Sequence, residues 1–246
     1  MILVTGGAGY IGSHCVYKLI ENGDKIAVGV SGGKDSLVLL KALKDFQKFN
    51  IVSYEIVAVT IDNYSGKEDY SGLKKFCKEI GVDLHVEQTD IYDIVFNLRK
   101  EKNPCSLCAK MRRGALNSVC KKLGCNKLAL AHHKQDVITT FFMSLLYEGR
   151  LSTMLPYSYM SNSDITLIRP LYLTEESKII NASKNMPILK SKCPADKDSK
   201  RKEIKDFILQ IEKDFVGSKK RIDNAILSPE SYNLLNKVYP YNKTNS

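Results

Sequence analysis

Short apolar runs alternate along the chain with longer segments whose apolar residues recur three or four positions apart. Five runs have the length and composition of buried or half-buried strands, at 26–30, 55–61, 83–88, 127–131 and 166–171. The segments that follow them, for example 34–43 and 109–123, have the spacing of amphipathic helices. This alternation predicts an α/β fold built on an open, mainly parallel, five-stranded sheet with helices on both faces.

The glycine turn between the first strand and its helix is the strongest chemical signal in the chain. The turn consists of Ser31, Gly32, Gly33, Lys34, Asp35 and Ser36. Two adjacent glycines allow a tight turn and bring backbone N–H groups close to an anion. The helix N-terminus and Lys34 add positive charge at the same place. The turn therefore predicts a cradle for phosphate or pyrophosphate, although its spacing differs from that of a Walker A loop.

Seven cysteines and a basic composition narrow the functional class. A net charge of +10, from 37 Lys and Arg against 27 Asp and Glu, favours a polyanionic partner, nucleic acid first. No apolar run reaches the ~18 residues of a membrane span, and no secretory pattern is present at the start. These features predict a cytoplasmic protein that does not bind membranes, in which spaced cysteines serve metal or redox chemistry.

A Cys-x-x-Cys pair, Cys105 and Cys108, precedes a predicted helix at 109–123 that carries several cations. Two sulfurs at this spacing can share one metal or cluster, and the cations favour thiolates. Cys193 lies in a basic, turn-rich loop and is a credible third ligand, whereas Cys120 and Cys125 are interpreted as buried thiols. The pair alone leaves zinc, iron–sulfur, a redox disulfide and coincidence open.

Polar residues follow the predicted strands at their carboxyl ends, where open parallel sheets bind ligands. Asp62 either contacts a nucleotide there or caps a turn. We interpret His132 and His133 as part of a loop that seats ATP and Mg²⁺, with Asp136 near the metal. Arg169 either meets phosphate or RNA, or forms a surface salt bridge.

From about residue 23 to residue 224, the chain resembles the tRNA 2-thiocytidine synthetases of the PP-loop ATP-pyrophosphatase superfamily. The resemblance is carried by SGGKDS at 31–36, CSLCAKMRRGAL at 105–116, LALAHHKQD at 128–136, IRPL at 168–171 and Cys193. It implies an adenine nucleotide alpha-hydrolase-like fold and ATP-dependent tRNA thiolation. In that reaction the C2 oxygen of a tRNA cytidine, position 32 in this family, is adenylated and then replaced by sulfur to give 2-thiocytidine.

The same resemblance implies roles for the candidate residues. Catalysis is assigned to Lys34, Asp35, Asp136, Cys105, Cys108 and Cys193, with Mg²⁺ at the two aspartates and a [4Fe–4S] cluster on the three cysteines. ATP binding is assigned to Ser31, Gly32, Gly33, Lys34, Asp35, Ser36, Asp62, His132 and His133. The implied partners are tRNA and a sulfur donor such as a cysteine desulfurase, and a homodimer stays open.

Two alternatives remain at this point. One is another PP-loop tRNA modifier, a 2-thiouridine or lysidine synthetase, although a lysidine synthetase would leave the three cysteines without a role. The other is a non-catalytic tRNA-binding PP-loop protein with structural zinc at the cysteines, although zinc normally takes a fourth ligand.

The first residues form a separate pattern. Residues 1–14 contain a T-G-x-x-G-x-x-G turn and resemble the start of extended short-chain dehydrogenases and nucleotide-sugar epimerases. The next strand lacks the acidic residue that binds the ribose of NAD, so we expect no NAD site. The predicted divisions are an atypical βα segment at 1–22, a PP-loop domain with a Cys-x-x-Cys insertion at 23–185, and a cysteine loop with helices and a polar tail at 186–246.

Overall fold

In the computed structural model of the chain, the described residues are 19–66, 68–99, 104–189, 193 and 200–228. The glycine-rich turn predicted in residues 1–14 and the polar tail lie outside them. No helix in these ranges combines the length and apolar character needed to cross a membrane.

The alternation of apolar runs and helical segments produces one mixed sheet. Its strands are β1 Asp24–Gly29, β2 Tyr54–Asp62, β3 Leu84–Gln88, β4 Lys127–Ala129, β5 Tyr157–Met160 and β6 Ile165–Ile168. The spatial order is β3-β2-β1-β4-β6-β5, with every neighbouring pair parallel except β5 and β6. The predicted open, mainly parallel sheet is confirmed, with six strands rather than five.

The additional strand, β5, lies in the segment 149–163, which the sequence pattern predicts as a loop. Its four residues are too few for a periodic signal, and it pairs antiparallel with β6 from Tyr157 opposite Ile168 to Met160 opposite Ile165. The tight connection passes through Asp164 at a φ of +55°, a conformation that Asp tolerates better than most residues. The strand therefore depends on a hairpin contact that local sequence does not reveal.

Seven helices accompany the sheet in the described ranges: α1 Lys34–Phe46, α2 Ser71–Glu79, α3 Pro104–Lys122, α4 Lys134–Glu148, α5 Glu176–Ala182, α6 Lys200–Asp214 and α7 Ser218–Leu227. A short π-helix at Asp93–Leu98 leads toward α3. The predicted start of α3 at residue 109 is wrong, because the helix already includes Pro104, which the first helical turn tolerates. Cys105 and Cys108 thus lie on the first turns of α3 rather than before it.

Apolar residues cover both faces of the sheet. On one face, Ile26 and Val28 of β1 join a cluster with residues of α1, α2 and α5, including the fully buried Leu40. On the other, Val59 of β2 packs in a cluster with α3 residues that include Cys120. The predicted helices on both faces are confirmed, and Cys120 and Cys125 are buried as predicted.

The chain divides into two units, one from residues 1–137 and 154–199 and the other from 138–153 and 200–246. Within the second unit, Ile204 and Ile208 of α6 are buried beside Ile138. The helical spacing of the apolar residues in this segment predicts that Phe207 is buried with them. Phe207 is instead 44% exposed, and its ring meets Phe142 edge-on at 5.9 Å. The predicted domain boundaries at 22 and 185 stay a prediction.

A buried ion pair connects the start of β1 with β4. Lys127 Nζ lies 2.7 Å from Asp24 Oδ2, and the two side chains are only 10% and 3% exposed. The remaining lone pairs of Asp24 accept hydrogen bonds from Asn126 Nδ2 at 2.7 Å and from the backbone N–H of Glu21 at 2.6 Å. These contacts offset the hydration that the Asp24 carboxylate and the Lys127 ammonium lose on burial.

We expect Lys127→Met to lower the free energy of unfolding by about 3 kcal/mol or more, because it leaves the Asp24 carboxylate buried without its cation. Urea unfolding followed by circular dichroism measures the change. Lys25→Met is the matched control, since Lys25 and Glu55 form an exposed pair at 3.9 Å. Its cost should be below about 1 kcal/mol, and equal losses in the two variants would contradict the analysis.

Candidate active site

Residues 30–33, called here the phosphate loop, connect β1 to α1, and their conformation depends on glycine. Gly32 has a φ of +79°, and its carbonyl accepts a hydrogen bond from the backbone N–H of Leu189 at 2.9 Å. A Cβ at Gly32 would lie 2.5 Å from Leu189 Cδ1, so no other residue fits without a shift. Gly33 caps α1, and its carbonyl accepts from Ser36 Oγ at 2.9 Å. The loop is thus held open toward the carboxyl edge of the sheet.

Lys34, the first residue of α1, is oriented by two carboxylates. Its Nζ lies 2.8 Å from Asp35 Oδ1 and 3.0 Å from Glu176 Oε1 of α5. Burial is the largest influence and lowers the pKa of Lys34, but the hydrogen bonds and charges of Asp35 and Glu176 outweigh it. The pKa stays above its ordinary value, so Lys34 is a fixed positive charge beside the loop.

His133 joins the two aspartates that the resemblance assigns to Mg²⁺. Its buried Nε2 lies 3.7 Å from Asp35 Oδ1 and 3.5 Å from Asp136 Oδ2. The backbone N–H of Gln135 donates to Nδ1 at 3.3 Å, which places the proton of the neutral ring on Nε2, between the carboxylates. His133 therefore faces the carboxylates, and the structure brings Asp35 and Asp136 together as a pair of oxygen donors of the kind that Mg²⁺ prefers.

A cavity of about 520 Å³ opens beside these residues and is called here the nucleotide cavity. Its polar wall comprises Ser31, Asp35, Ser36, His132, Asp136, Arg112, Arg113 and Arg169. Its apolar wall comes from the ends of β1, β2 and β4 and from α3, including Leu116 and Leu130. Carboxylates, cations and an apolar surface in one cleft suit a metal-bound nucleotide.

Arg169 and His132 form one contact on the wall of the nucleotide cavity. Arg169 Nε donates to His132 Nδ1 at 3.3 Å, and burial lowers the pKa of the guanidinium. Within the described ranges no carboxylate pairs with Arg169, so the surface salt bridge considered from sequence is not seen. The Arg169 guanidinium lines the nucleotide cavity, where it can bind an anion.

Asp62 anchors a turn. It is 1% exposed at the end of β2, and its carboxylate accepts from the backbone N–H groups of Tyr64 at 2.9 Å and Gly66 at 2.6 Å. Of the two interpretations that the sequence leaves open, these contacts correspond to the cap, and contact with a nucleotide stays a prediction. The turn places Asn63 and Tyr64 at the carboxyl edge of the sheet.

A second cavity of about 280 Å³, called here the cysteine cavity, lies at the same edge. It is lined by Ser31, Gly33, Ile61, Asn63, Tyr64, Glu68, Tyr70, Tyr92, Phe96, Cys108, Arg112, Leu189 and Cys193. Ser31, Ile61 and Arg112 also line the nucleotide cavity. The phosphate loop and two of the three predicted cluster ligands therefore face one space.

None of the three predicted cluster ligands forms a disulfide in the described part of the chain. Cys105 is exposed, and Cys108 and Cys193 are half-buried. Burial raises the pKa of Cys108, the charges of Cys193 and Cys105 act in the same direction, and the Arg112 guanidinium opposes the rise. No metal-binding group of three is already assembled among the described residues. The donor set nevertheless fits a three-thiolate cluster, because the thiols form no disulfide, interact electrostatically and include two at helical i, i+3 spacing.

Sequence reasoning missed three features of the site. Glu176, Leu189 and the aromatic group formed by Tyr64, Tyr92 and Phe96 were not singled out. The aromatic residues do carry a usable signal, because they come soon after the carboxyl ends of β2 and β3. Glu176 and Leu189 reach the loop only through long-range contacts, which no local pattern indicates.

Comparison with known proteins gives one consistent result. Residues 13–211 match the PP-loop domain family. The tRNA-cytidine(32) 2-sulfurtransferase of Geobacter sulfurreducens is 38% identical over 217 residues, which cover 85% of this chain and 84% of that protein. The enzyme of the same name from Geotalea uraniireducens is 38% identical over 232 residues, 92% of this chain and 91% of its own.

A solved structure resembles the whole fold. The U34-tRNA thiolase NcsA from Methanococcus maripaludis, determined with its [4Fe–4S] cluster, superposes with a TM-score of 0.70 at 25% identity, covering 94% of this chain and 84% of that one. Together with the matched domain and the relatives above, this likeness agrees with the phosphate loop and cysteines described here. The chain belongs to the PP-loop domain family and, within it, to the tRNA-cytidine(32) 2-sulfurtransferases.

Proposed function

We propose that this chain catalyses the ATP-dependent conversion of cytidine 32 of tRNA to 2-thiocytidine. The observation that carries the proposal is the cysteine cavity, where Ser31 and Gly33 of the phosphate loop face the same space as Cys108 and Cys193. Activation of the base by ATP and delivery of sulfur can therefore take place at one position. The relatives named above favour this reaction over the 2-thiouridine and lysidine alternatives.

ATP is assigned to the nucleotide cavity, with its triphosphate on the phosphate loop. Asp35 and Asp136 would hold Mg²⁺ there, and both carboxylates lie close to His133 Nε2, at 3.7 and 3.5 Å. Lys34 and the backbone N–H groups of the loop stabilise the negative charge that grows on the phosphates as pyrophosphate departs. Lys34 is oriented by Asp35 and Glu176, so little reorganisation of this cation is needed during the reaction.

The proposed chemistry has two balanced displacements. The C2 oxygen of cytidine forms a bond to the α-phosphorus, and the bond from that phosphorus to the bridging oxygen of the β-phosphate breaks, releasing pyrophosphate. Sulfur at the sulfide level then adds to C2, and the C2–oxygen bond breaks to release AMP. No external electrons are required when the sulfur arrives at that oxidation level.

Cys105, Cys108 and Cys193 would hold a [4Fe–4S] cluster at the edge of the cysteine cavity, where Cys108 and Cys193 form part of its lining. Such a cluster, with three protein thiolates, supplies one iron without a protein ligand, where a sulfur atom can bind. Arg112 lies beside Cys108 and favours its thiolate form electrostatically. The residues of this chain thus provide the ligands and the local positive charge.

The partners follow from charge and from the thiols. The net charge of +10 suits the tRNA backbone. We assign the supply of sulfur to a cysteine desulfurase. Its persulfide sulfur would be released at the sulfide level by two thiols, which supply two electrons and become a disulfide. A reducing cytoplasm fits six cysteines that form no disulfide in the described residues. The homodimer stays a prediction.

Lys34→Ala should lower 2-thiocytidine formation at saturating tRNA by about 100-fold or more, because it removes a preorganised cation from the phosphate site. Single-turnover assays with nucleoside analysis by mass spectrometry measure the product, and gel-shift titration measures tRNA binding. Lys44→Ala, on the last turn of α1, is the control and should keep near-normal turnover. Unchanged thiolation in Lys34→Ala would remove the phosphate loop from the mechanism.

Cys108→Ser should abolish the iron content of anaerobically purified protein, about four irons per chain for the intact cluster, because one of three ligands is lost. Cys120→Ala should keep it, since Cys120 is fully buried in the core and burial raises its pKa to about 12. Iron and sulfide assays with an absorption spectrum provide the measurement. Loss of iron in Cys120→Ala with retention in Cys108→Ser would move the cluster elsewhere.

A further inference from the structure

Three aromatic rings form a continuous wall in the cysteine cavity. The ring centroids of Tyr64 and Tyr92 are 5.1 Å apart, and those of Tyr92 and Phe96 are 4.9 Å apart with nearly stacked planes. All three residues are half-buried and line the cavity. Proteins that bind unpaired RNA bases stack them on aromatic faces. Because Tyr92 already packs against both neighbours, a base in this cavity would stack on an end ring, Tyr64 or Phe96, with Tyr92 supporting it.

A polar group without a partner adjoins the wall. Asn63 Oδ1 is buried and has no hydrogen-bond partner within the described part of the chain, although a buried polar atom normally has one. Asn63 also lines the cysteine cavity. Because the last torsion of Asn is soft, its amide can turn either polar atom into the cavity while the backbone stays fixed.

The backbone beneath these groups is held by independent contacts. Asp62 accepts from the N–H groups of Tyr64 and Gly66, and the Asn63 carbonyl accepts from the N–H of Tyr92 at 3.0 Å. The amide and the wall therefore keep their positions without any help from the Asn63 side chain. Such preorganisation is typical of a binding site rather than of a loose loop.

We propose that the cysteine cavity is the subsite for the target base, in which the unstacked cytosine lies against the Tyr64–Tyr92–Phe96 wall and Asn63 reads its Watson–Crick edge. This inference rests on the proposed function and adds to it the residues that select the base. A cavity of about 280 Å³ is small enough to favour a single ring over an extended ligand.

The amide of Asn63 matches a cytosine chemically. The N4 amino group of cytosine is a donor and N3 is an acceptor, and a primary amide offers an acceptor and a donor side by side. The N4 amino group thus supplies the donor that Asn63 Oδ1 lacks. Uracil presents O4 and N3–H in the reverse order, so it is read less well by an amide in this orientation.

The position of the base follows from the other residues that line the cavity. N4 and O2 lie at opposite ends of the Watson–Crick edge of cytosine. A base held at N4 by Asn63 therefore directs O2 and C2 away from it, toward the rim shared by the two cavities. Ser31 and Arg112 line both cavities, and Cys108 and Cys193 line the smaller one. The reacting carbon then faces the phosphate loop and the cysteines together.

Photocrosslinking tests the placement without requiring turnover. A tRNA transcript that carries 5-iodocytidine at position 32 is irradiated with the cluster-containing enzyme, and the crosslinked peptide is mapped by mass spectrometry. The iodine leaves the Watson–Crick edge intact. A crosslink to Tyr64, Tyr92 or Phe96 is the expected result. A crosslink only elsewhere, or none with an enzyme that thiolates normal tRNA, overturns the proposal.

Substitutions of Asn63 and Tyr92 test whether these residues recognise the target base. We expect Asn63→Leu and Tyr92→Leu each to lower kcat/KM for tRNA thiolation by about tenfold or more, with iron content and ATP affinity unchanged. Asn63→Leu should also reduce the preference for cytidine over uridine at position 32. Phe49→Leu is the aromatic control, because Phe49 is 55% exposed and outside both cavities. Its kinetics should match those of the wild-type enzyme.

Different experimental results would contradict the proposed function and the proposed base subsite. A folded, cluster-containing wild-type enzyme that produces no 2-thiocytidine with its sulfur donor contradicts the proposed function. An active wild-type enzyme whose Asn63→Leu and Tyr92→Leu variants retain full kcat/KM and full preference for cytidine contradicts the base subsite alone. Thermal unfolding of each variant separates loss of recognition from loss of fold, and Asn63→Ala replaces Asn63→Leu if leucine destabilises the protein.

Discussion

The close approach of Gly32 and Leu189 is the constraint on which the whole site depends. The left-handed backbone at Gly32 turns its carbonyl toward the N–H of Leu189, at 2.9 Å, and the missing Cβ leaves room for the leucine side chain. The contact holds the phosphate loop against a segment that ends, four residues later, at Cys193. One backbone hydrogen bond therefore links the proposed phosphate site to the chain segment that precedes a proposed cluster ligand. A side chain at this glycine would disturb both.

The charges at the phosphate end explain why a metal-bound nucleotide suits the cleft better than a free anion. Asp35, Asp136 and Glu176 surround Lys34 and His133, so the local carboxylates outnumber the lysine. A divalent cation relieves this excess and brings the triphosphate with it. Three arginines also line the nucleotide cavity, and Arg169 is partly desolvated, which strengthens its attraction for an anion.

Sequence alone predicted the parts of this structure that are local and periodic. The unit formed by β1, the glycine turn and α1 is one continuous signal, and the structure places it where a parallel sheet binds ligands. β5 was missed because four residues carry no period, and the start of α3 was placed late because Pro104 reads as a helix breaker. The aromatic wall was missed because Tyr64 follows β2 whereas Tyr92 and Phe96 lie on the helical segment after β3, so the three rings meet only in three dimensions.

Because the two cavities share part of their lining, adenylation and sulfur transfer can take place at neighbouring positions. An adenylated cytosine is an activated species, and water at its C2 would return it to cytidine with loss of the ATP already spent. Because Ser31 and Arg112 line both cavities, the activated carbon need not move between adenylation and sulfur transfer. The aromatic wall and the phosphate loop line the same cavity, and a base bound between them would have restricted access to water at that carbon. The arrangement thus protects the intermediate by position, and the fold achieves it by ending two cavities at one edge of the sheet.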